Sequence, residues 1–140
     1  MTTKYVYLLV NEIGRYKIGI SGEVEKRCKT LSYSGGIEIG VVHKWITPCA
    51  STFEEFLHTF YCEYHHLGEW FSLTTNPKDE ITTLHQKFIM AYDSTCKTRN
   101  DCMQGWEVSR KLHHLLPIGA ISHKRSKRIA EAAKLNDSDT

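Results

Sequence analysis

The sequence predicts an α/β fold: a small, mainly antiparallel three-stranded sheet flanked by helices and followed by a helical, basic C-terminal extension. Three observations support this class. Short runs of β-branched and aromatic residues occupy the first third of the chain. Apolar residues then recur with helical spacing, and the composition becomes more polar after Ser94. A chain of 140 residues holds one domain, or a small domain with an appendage.

The strands are predicted from their composition and their turns. Residues 4–10 and 15–20 are rich in β-branched and aromatic side chains, and the short turn between them pairs the two runs as a hairpin. Gly35-Gly36 interrupts the chain, and residues 37–45 then supply the third strand. Residues 69–73 are compatible with one further short strand.

Two helices of the predicted core follow from apolar periodicity. Ser21 is a candidate cap for a helix over residues 23–31, with Val24, Cys28 and Leu31 on one stripe. A second helix is predicted from Ser51 to about residue 61. It has a continuous apolar face, made by Phe53, Phe56, Leu57 and Phe60.

The C-terminal half is predicted to be helical. Asn76-Pro77 supplies an N-cap and a first-turn proline for a helix to about residue 92. Two more helical segments, over residues 106–116 and 122–135, flank Pro117. We therefore expect a core over residues 1–93 and a helical basic extension over residues 94–140.

Charge and cysteine content narrow the function classes. The formal net charge of +2 conceals an asymmetry, because residues 91–140 carry nine Lys/Arg against six Asp/Glu. A polyanion is the partner that such a local field attracts. No apolar run approaches a transmembrane helix and no signal peptide is recognisable, so a cytoplasmic location is expected. The five cysteines form no C-x-x-C pair, which favours reduced thiols.

Five short signals follow one another along residues 4–73. They are Tyr5-Val6-Tyr7, Tyr16-Lys17-Ile18-Gly19, Arg27, Glu54-x-x-Leu57-His58 and Gly68-Glu69-Trp70-Phe71. A tyrosine, a lysine, an arginine and a carboxylate around one hairpin and two helices are suited to cleaving a phosphodiester. Their order and spacing resembles the GIY-YIG nuclease domain, in the phage-type branch whose second motif reads K-I-G and in which G-E-W-F follows.

The resemblance implies a metal-dependent endonuclease that hydrolyses phosphodiester bonds in DNA, with RNA as an open alternative. It implies that Tyr7 is the general base or orients the attacking water. Lys17 stands where the second tyrosine of the motif usually lies, and with Arg27 it would stabilise the charged transition state. Glu54 matches the metal-binding glutamate of the pattern E-x-x-L-H, and would hold one Mg²⁺ or Mn²⁺ per site.

Each of these residues also has a purely structural explanation. Tyr7 is compatible with an ordinary half-buried strand residue, Lys17 with a solvated strand lysine and Arg27 with a stem that covers the core. Glu54 forms a capping-box pattern with Ser51, and Glu69 is an alternative catalytic carboxylate. Tyr7 and Lys17 share a face of the sheet only if their strands pair at positions whose numbers sum to an even value. That register needs an odd-length turn or a bulge.

The extension supplies the expected nucleic-acid contacts. Four basic residues open its last helical segment, namely Lys124, Arg125, Lys127 and Arg128. They are candidates for contacts with DNA phosphates, and a solvated helix face is the alternative. One site cuts one strand, so double-strand cleavage would need a homodimer or sequential nicking. The alternative function is a catalytically inactive nucleic-acid-binding or regulatory protein on a GIY-YIG scaffold.

Overall fold

The computed structural model describes residues 4–64, 70–73, 76–98 and 105–117. These residues form four strands and four α-helices, with two single-turn 3-10 helices at Cys62–Tyr64 and His113–Leu115. In chain order the elements are β1 (Tyr5–Asn11), β2 (Tyr16–Ser21), α1 (Val24–Gly35), β3 (Ile39–Ile46), α2 (Ala50–Phe60), β4 (Trp70–Phe71), α3 (Pro77–Thr98) and α4 (Gly105–Lys111).

The sheet is antiparallel, with strand order β3-β1-β2-β4. The predicted α/β class is confirmed, although four strands take part rather than three. The fourth strand, β4, lies within residues 69–73, where the sequence is compatible with one further short strand. It pairs with only the first two residues of β2, Tyr16 and Lys17. The rest of that edge of β2 has no strand beside it in the described part of the chain.

The β1–β2 hairpin sets the register of the sheet. Three residues separate Asn11 from Arg15. The Asn11 N–H donates a hydrogen bond of 2.9 Å to the Arg15 carbonyl. Gly14 takes φ 88° at the left-handed position that a three-residue hairpin requires. The Asn11 Oδ1 atom accepts hydrogen bonds from the N–H groups of Ile13 and Arg15. Because the turn has an odd length, paired positions of β1 and β2 sum to 26, which is even.

Several predicted helix boundaries are wrong. Helix α1 has Glu23 at its N-cap position without a side-chain cap, and Ser21 accepts a hydrogen bond from the Glu23 N–H in the turn before it. The helix continues to Gly35 and ends because Gly36 adopts φ 65°. Helix α3 runs to Thr98 rather than to about residue 92. Strand β3 starts at Ile39, two residues later than predicted.

The two faces of the sheet are covered differently. One face, here called the core face, carries Val6, Leu8 and Ile18 and packs against α2 and α3 in the larger hydrophobic cluster. The opposite face, here called the site face, carries Tyr7 and Leu9. A single helix, α1, covers it with Val24, Cys28 and the partly buried Leu31. Most of the apolar burial therefore lies on the core face.

The start of the predicted extension packs onto the same core. Val108, Leu112 and Leu116 are buried in the larger hydrophobic cluster, with α4 against α2 and α3. The division at residue 93 remains a prediction, and α3 continues through that position. The predicted helix over residues 122–135 lies outside the described residues. No helix in the described ranges combines the length and the apolar character needed to cross a bilayer.

Candidate active site at the open edge of β2

Tyr7 is a buried phenol that lies across β2. Only 3% of its surface is exposed, and it pairs with Gly19 on one side and Lys44 on the other. A Cβ atom added at Gly19 would collide with the Tyr7 hydroxyl and with the ring carbon that carries it. The ring therefore occupies the space above Gly19. Its hydroxyl reaches over the β2 backbone because residue 19 has no side chain.

Lys17 lies on the site face with Tyr7. It pairs with Leu9 in the same even register, so the condition set by the sequence is met. Only 5% of its surface is exposed, which rules out the solvated-lysine interpretation. Its ammonium group lies 5.9 Å from the ring centroid of Trp70, the residue opposite it on β4, within cation–π range. A buried cation thus lies on β2 two residues from the glycine beneath the Tyr7 phenol.

Arg27 projects from the side of α1 nearer to β2. Glu25, two residues earlier on the helix, points the other way and binds the ammonium group of Lys44 on β3 at 3.0 Å. Residues two apart on a helix point about 160° away from each other, so Arg27 faces the β2 side. The Arg27 side chain is exposed. Within the described ranges, no ion pair involves its guanidinium.

Glu54 lies on α2, which packs against the core face of the sheet and contacts β2 and β1. The helix follows β3, whose last residue, Ile46, pairs with the first residue of β1. Further along α2, the His58 Nε2 donates a hydrogen bond of 2.8 Å to the Ile18 carbonyl. The His58 ring also contacts the Phe71 ring edge-on. Glu54 precedes His58 by one helical turn on the same side of α2. Glu54 is therefore half-buried on a helix that packs on the core face, whereas Tyr7 and Lys17 lie on the site face.

The capping-box explanation of Glu54 is wrong. Helix α2 begins at Ala50, so Ser51 lies inside it, and the N-cap position is Cys49, which makes no side-chain cap. Glu55, the neighbouring carboxylate, is exposed on the outer side of the helix. His58 has a structural role, because its ring is hydrogen-bonded to the β2 backbone.

The donor set at this edge suits a hard, well-hydrated cation. Throughout the described ranges, no group of three or more His, Cys, Asp or Glu side chains is arranged to hold a metal by itself. A lone glutamate is compatible with Mg²⁺ or Mn²⁺ only if water and substrate phosphate oxygens complete the coordination shell. Glu54 is the described site residue that can supply this ligand.

Part of the predicted site lies outside the described residues. From the Gly68-Glu69-Trp70-Phe71 motif the structure describes Trp70 and the buried Phe71, and both pack as β4 at the sheet edge. Glu69 is not described, and neither are the four basic residues of the extension, Lys124, Arg125, Lys127 and Arg128. The contribution of Gly19 was missed by sequence reasoning. A turn of three residues would have revealed it, since that turn pairs position 7 with position 19.

Residues 4–89 match the T5orf172 domain, which is more than half of the chain. The chain belongs to the T5orf172 domain family. This family is related to nuclease-type phage domains of the GIY-YIG and HNH-like kinds, and it indicates a nuclease or DNA-binding role. No curated protein and no solved structure matches the chain. The matched range contains Tyr7, Lys17, Arg27 and Glu54.

Proposed function

We propose that the chain is a metal-dependent endonuclease that hydrolyses phosphodiester bonds in DNA. The observation that carries this proposal is that the buried Tyr7 and Lys17 side chains lie on one face of the sheet. A phenol and a lysine are both costly to bury. A phenol and a lysine on one sheet face, beside an unpaired stretch of strand, are suited to acting on an anionic substrate.

Tyr7 is the proposed general base, or the group that orients the attacking water. Its hydroxyl lies above Gly19, whose lack of a side chain leaves room for the phenol over β2. Lys17, with a fixed position beside Trp70, supplies positive charge to the phosphate oxygens as the transition state develops.

Arg27 is the proposed second cation of the site. Its guanidinium forms no ion pair with any carboxylate in the described ranges, so it does not have to break one in order to bind phosphate. The planar fork of arginine matches two phosphate oxygens, which a lysine cannot do. Its exposure on the β2 side of α1 allows it to reach substrate that lies over the site face.

Glu54 is the proposed ligand for one Mg²⁺ or Mn²⁺ per site. When bound, such an ion polarises the phosphate and neutralises the leaving oxygen. The part played by the protein is to keep the carboxylate on a rigid helix. The bond from His58 to the Ile18 carbonyl fixes that helix against β2 one turn away.

The extension is proposed to hold the DNA through Lys124, Arg125, Lys127 and Arg128. Alanine at all four positions should flatten the dependence of log K on log salt by about 0.9 for each lost duplex contact. Four exposed lysines of the core, Lys4, Lys29, Lys78 and Lys87, provide a control variant with the same change of charge. An equal effect of the two variants would mean that only net charge matters. Cutting both strands requires a homodimer or two successive nicks.

Plasmid nicking tests the proposal. Purified protein should convert supercoiled plasmid to the nicked form with Mg²⁺ or Mn²⁺, and EDTA should stop the reaction. Glu54→Gln should abolish cleavage, whereas Glu55→Gln, one residue away on the exposed side of α2, should cut normally. Arg27→Lys should cut poorly, because a point charge does not replace the guanidinium fork.

Two outcomes would overturn these assignments. If Glu54→Gln cuts as well as the wild type, Glu54 is not the metal ligand, and Glu69→Gln then becomes the variant to compare. If the wild type binds DNA but cuts with neither metal, the alternative applies, and the chain is a nucleic-acid-binding or regulatory protein on this scaffold.

A further inference from the structure

A cavity of about 390 Å³ lies on the site face between the hairpin turn and the end of α1. This volume falls in the range of small-molecule pockets. Its aliphatic walls are the side chains of Ile13, Leu31, Ile37 and Ile39, and the indole of Trp70 closes one side. The cavity therefore presents apolar surface and one aromatic ring to a ligand.

The polar groups of the cavity favour a ligand attached to negative charge. Arg15 is partly buried, is the sole ionisable side chain among the described lining residues, and has no ion-pair partner within the described ranges. The Ser34 hydroxyl donates to the Thr30 carbonyl at 2.8 Å, so helix α1 already uses that group. An apolar slot with one cation and no described acid suits a flat, uncharged ring linked to phosphate.

The cavity and the proposed catalytic residues share one side chain. Trp70 lines the cavity and also lies opposite Lys17, whose ammonium group is 5.9 Å from the indole centroid. A phosphate beside Lys17 therefore has the cavity next to it along the same face of the sheet. Because the cavity and Lys17 share Trp70, a ligand in the cavity is expected to belong to the same nucleic-acid strand as that phosphate.

We propose that this cavity binds an unpaired nucleobase of the substrate strand, adjacent to the phosphate that is cut. The base stacks on Trp70, and Arg15 contacts a neighbouring phosphate. A base inside a regular duplex cannot enter, so the preferred substrate has an unpaired nucleotide at this point. The inference rests on the proposed function for the location of the phosphate, but base binding can be measured without cleavage.

Binding of a base can be separated from binding of phosphates with two probes. One is a fluorescently labelled oligothymidylate of about eight nucleotides, and the other is an abasic oligomer of the same length and charge. Fluorescence anisotropy in EDTA prevents cleavage. The full chain should bind the oligothymidylate at least about fivefold more tightly than the abasic oligomer, which is the lower end of a base–aromatic stack.

Matched variants locate the base. Ser34→Phe places a ring at the mouth of the cavity, and Trp70→Leu removes the stacking surface; both should erase the preference. Thr30→Phe, one turn earlier on the exposed side of α1 and outside the cavity lining, should keep it. Circular dichroism verifies that each variant is folded, and Ser34→Phe decides the matter if Trp70→Leu is not. Equal binding of the two probes by the wild type, or a preference that survives Ser34→Phe, overturns the proposal.

Plasmid nicking distinguishes failure of this inference from failure of the proposed function. A protein that nicks plasmid but binds both probes equally is an endonuclease without this subsite. A protein that prefers the base-containing probe but never nicks has the subsite without the proposed activity.

Discussion

The two faces of the sheet differ in what they bury. On the core face, the buried residues of β1 and β2 are Val6, Leu8 and Ile18, and the helices above them add aromatic rings. On the site face the same two strands bury Leu9 together with a phenol, Tyr7, and an ammonium group, Lys17. One sheet thus carries an apolar surface on one side and a mixed surface with two buried polar groups on the other.

This difference means that the core face contributes most of the folding stability, whereas the site face carries the proposed catalytic side chains of the sheet. Burial of apolar area is the dominant favourable contribution to folding, and most of it lies between the core face, α2 and α3. Removing a lysine from water costs free energy that only specific partners offset. The larger apolar cluster lies on the core face, and the proposed catalytic side chains of the sheet lie on the opposite face. Substitutions on the core face should lower mainly stability, and substitutions of catalytic groups on the site face should lower mainly cleavage.

The largest effect is expected from Tyr7→Phe. This change keeps the ring above Gly19 and removes only the hydroxyl, so cleavage should fall by about 10²–10⁴-fold, the range of a lost general base. The melting temperature should change little. Nicking rates and thermal denaturation measure the two quantities. Tyr5→Phe, two residues earlier on the same face, is the control and should cut normally. Unchanged cleavage by Tyr7→Phe would remove the phenol from the mechanism.

On the core face, Phe53→Ala should act on stability. Phe53 is fully buried and packs against Phe88 and His85, with ring centroids at 4.9 and 5.3 Å. Its loss should lower the free energy of unfolding by about 3–5 kcal/mol. Urea denaturation measures this loss, and Phe60→Ala, at a partly buried position of the same helix, should cost less. A loss no larger than that of Phe60→Ala would show that the core is not centred here.

The sequence predicted the elements better than their relations. Alternating and helical periodicities located the hairpin and helices α1 to α3, because each pattern reflects which side of an element is buried. Helix ends were missed where a backbone geometry, such as the left-handed Gly36, decides them rather than a side-chain cap. The exposure of Arg27 could not be derived from the sequence, because the position of a residue around a helix does not show what packs beside it.

The candidate site depends on the register between β1 and β2, which amino-acid composition does not determine. Tyr7 and Lys17 share a face because Asn11 holds a turn of three residues with its side-chain oxygen. A two-residue turn with the same strand sequences would have placed them on opposite faces. The role of Gly19 follows from that register, and it was therefore not visible before the pairing was known.

Gly19→Ala should lower both stability and cleavage. The added methyl group meets the Tyr7 hydroxyl and ring, which are buried and cannot swing freely aside. We expect a stability loss of about 1–3 kcal/mol from overpacking, together with a strong loss of cleavage. Gly40→Ala on β3 is the matched control, because a Cβ there meets no atom within 4 Å.

A double variant sharpens this prediction. If Gly19→Ala acts by displacing the phenol, combining it with Tyr7→Phe should reduce cleavage no further than the more damaging single change. Additive losses would show that Gly19 affects cleavage by another route, such as a direct contact between its backbone and the substrate.

The smallest expected effect is a pH dependence of stability that arises on the core face. Burial lowers the pKa of His85 below its ordinary value of 6.5, and the charge on nearby His43 adds to this, while a hydrogen bond to the Ile46 backbone opposes both. Within the described part of the chain, the Nε2 atom of His85 is buried and has no partner. The neutral ring is therefore favoured in the folded protein, and the unfolded chain binds the proton more readily. Stability from this group is fully present above pH 6.5 and is lost as the pH falls towards the lower folded pKa.

His85→Phe isolates this contribution, because a phenyl ring can still pack on Phe53 but does not titrate. Urea midpoints of the wild type and the variant, compared at pH values of about 7.5 and 5.5, should show a smaller acid-induced loss in the variant. Equal losses would contradict the assignment to His85. Since this histidine belongs to the helices over the core face, the substitution should leave the pH profile of cleavage unchanged wherever both proteins are folded. A changed profile would mean that the two faces are coupled and do not act separately.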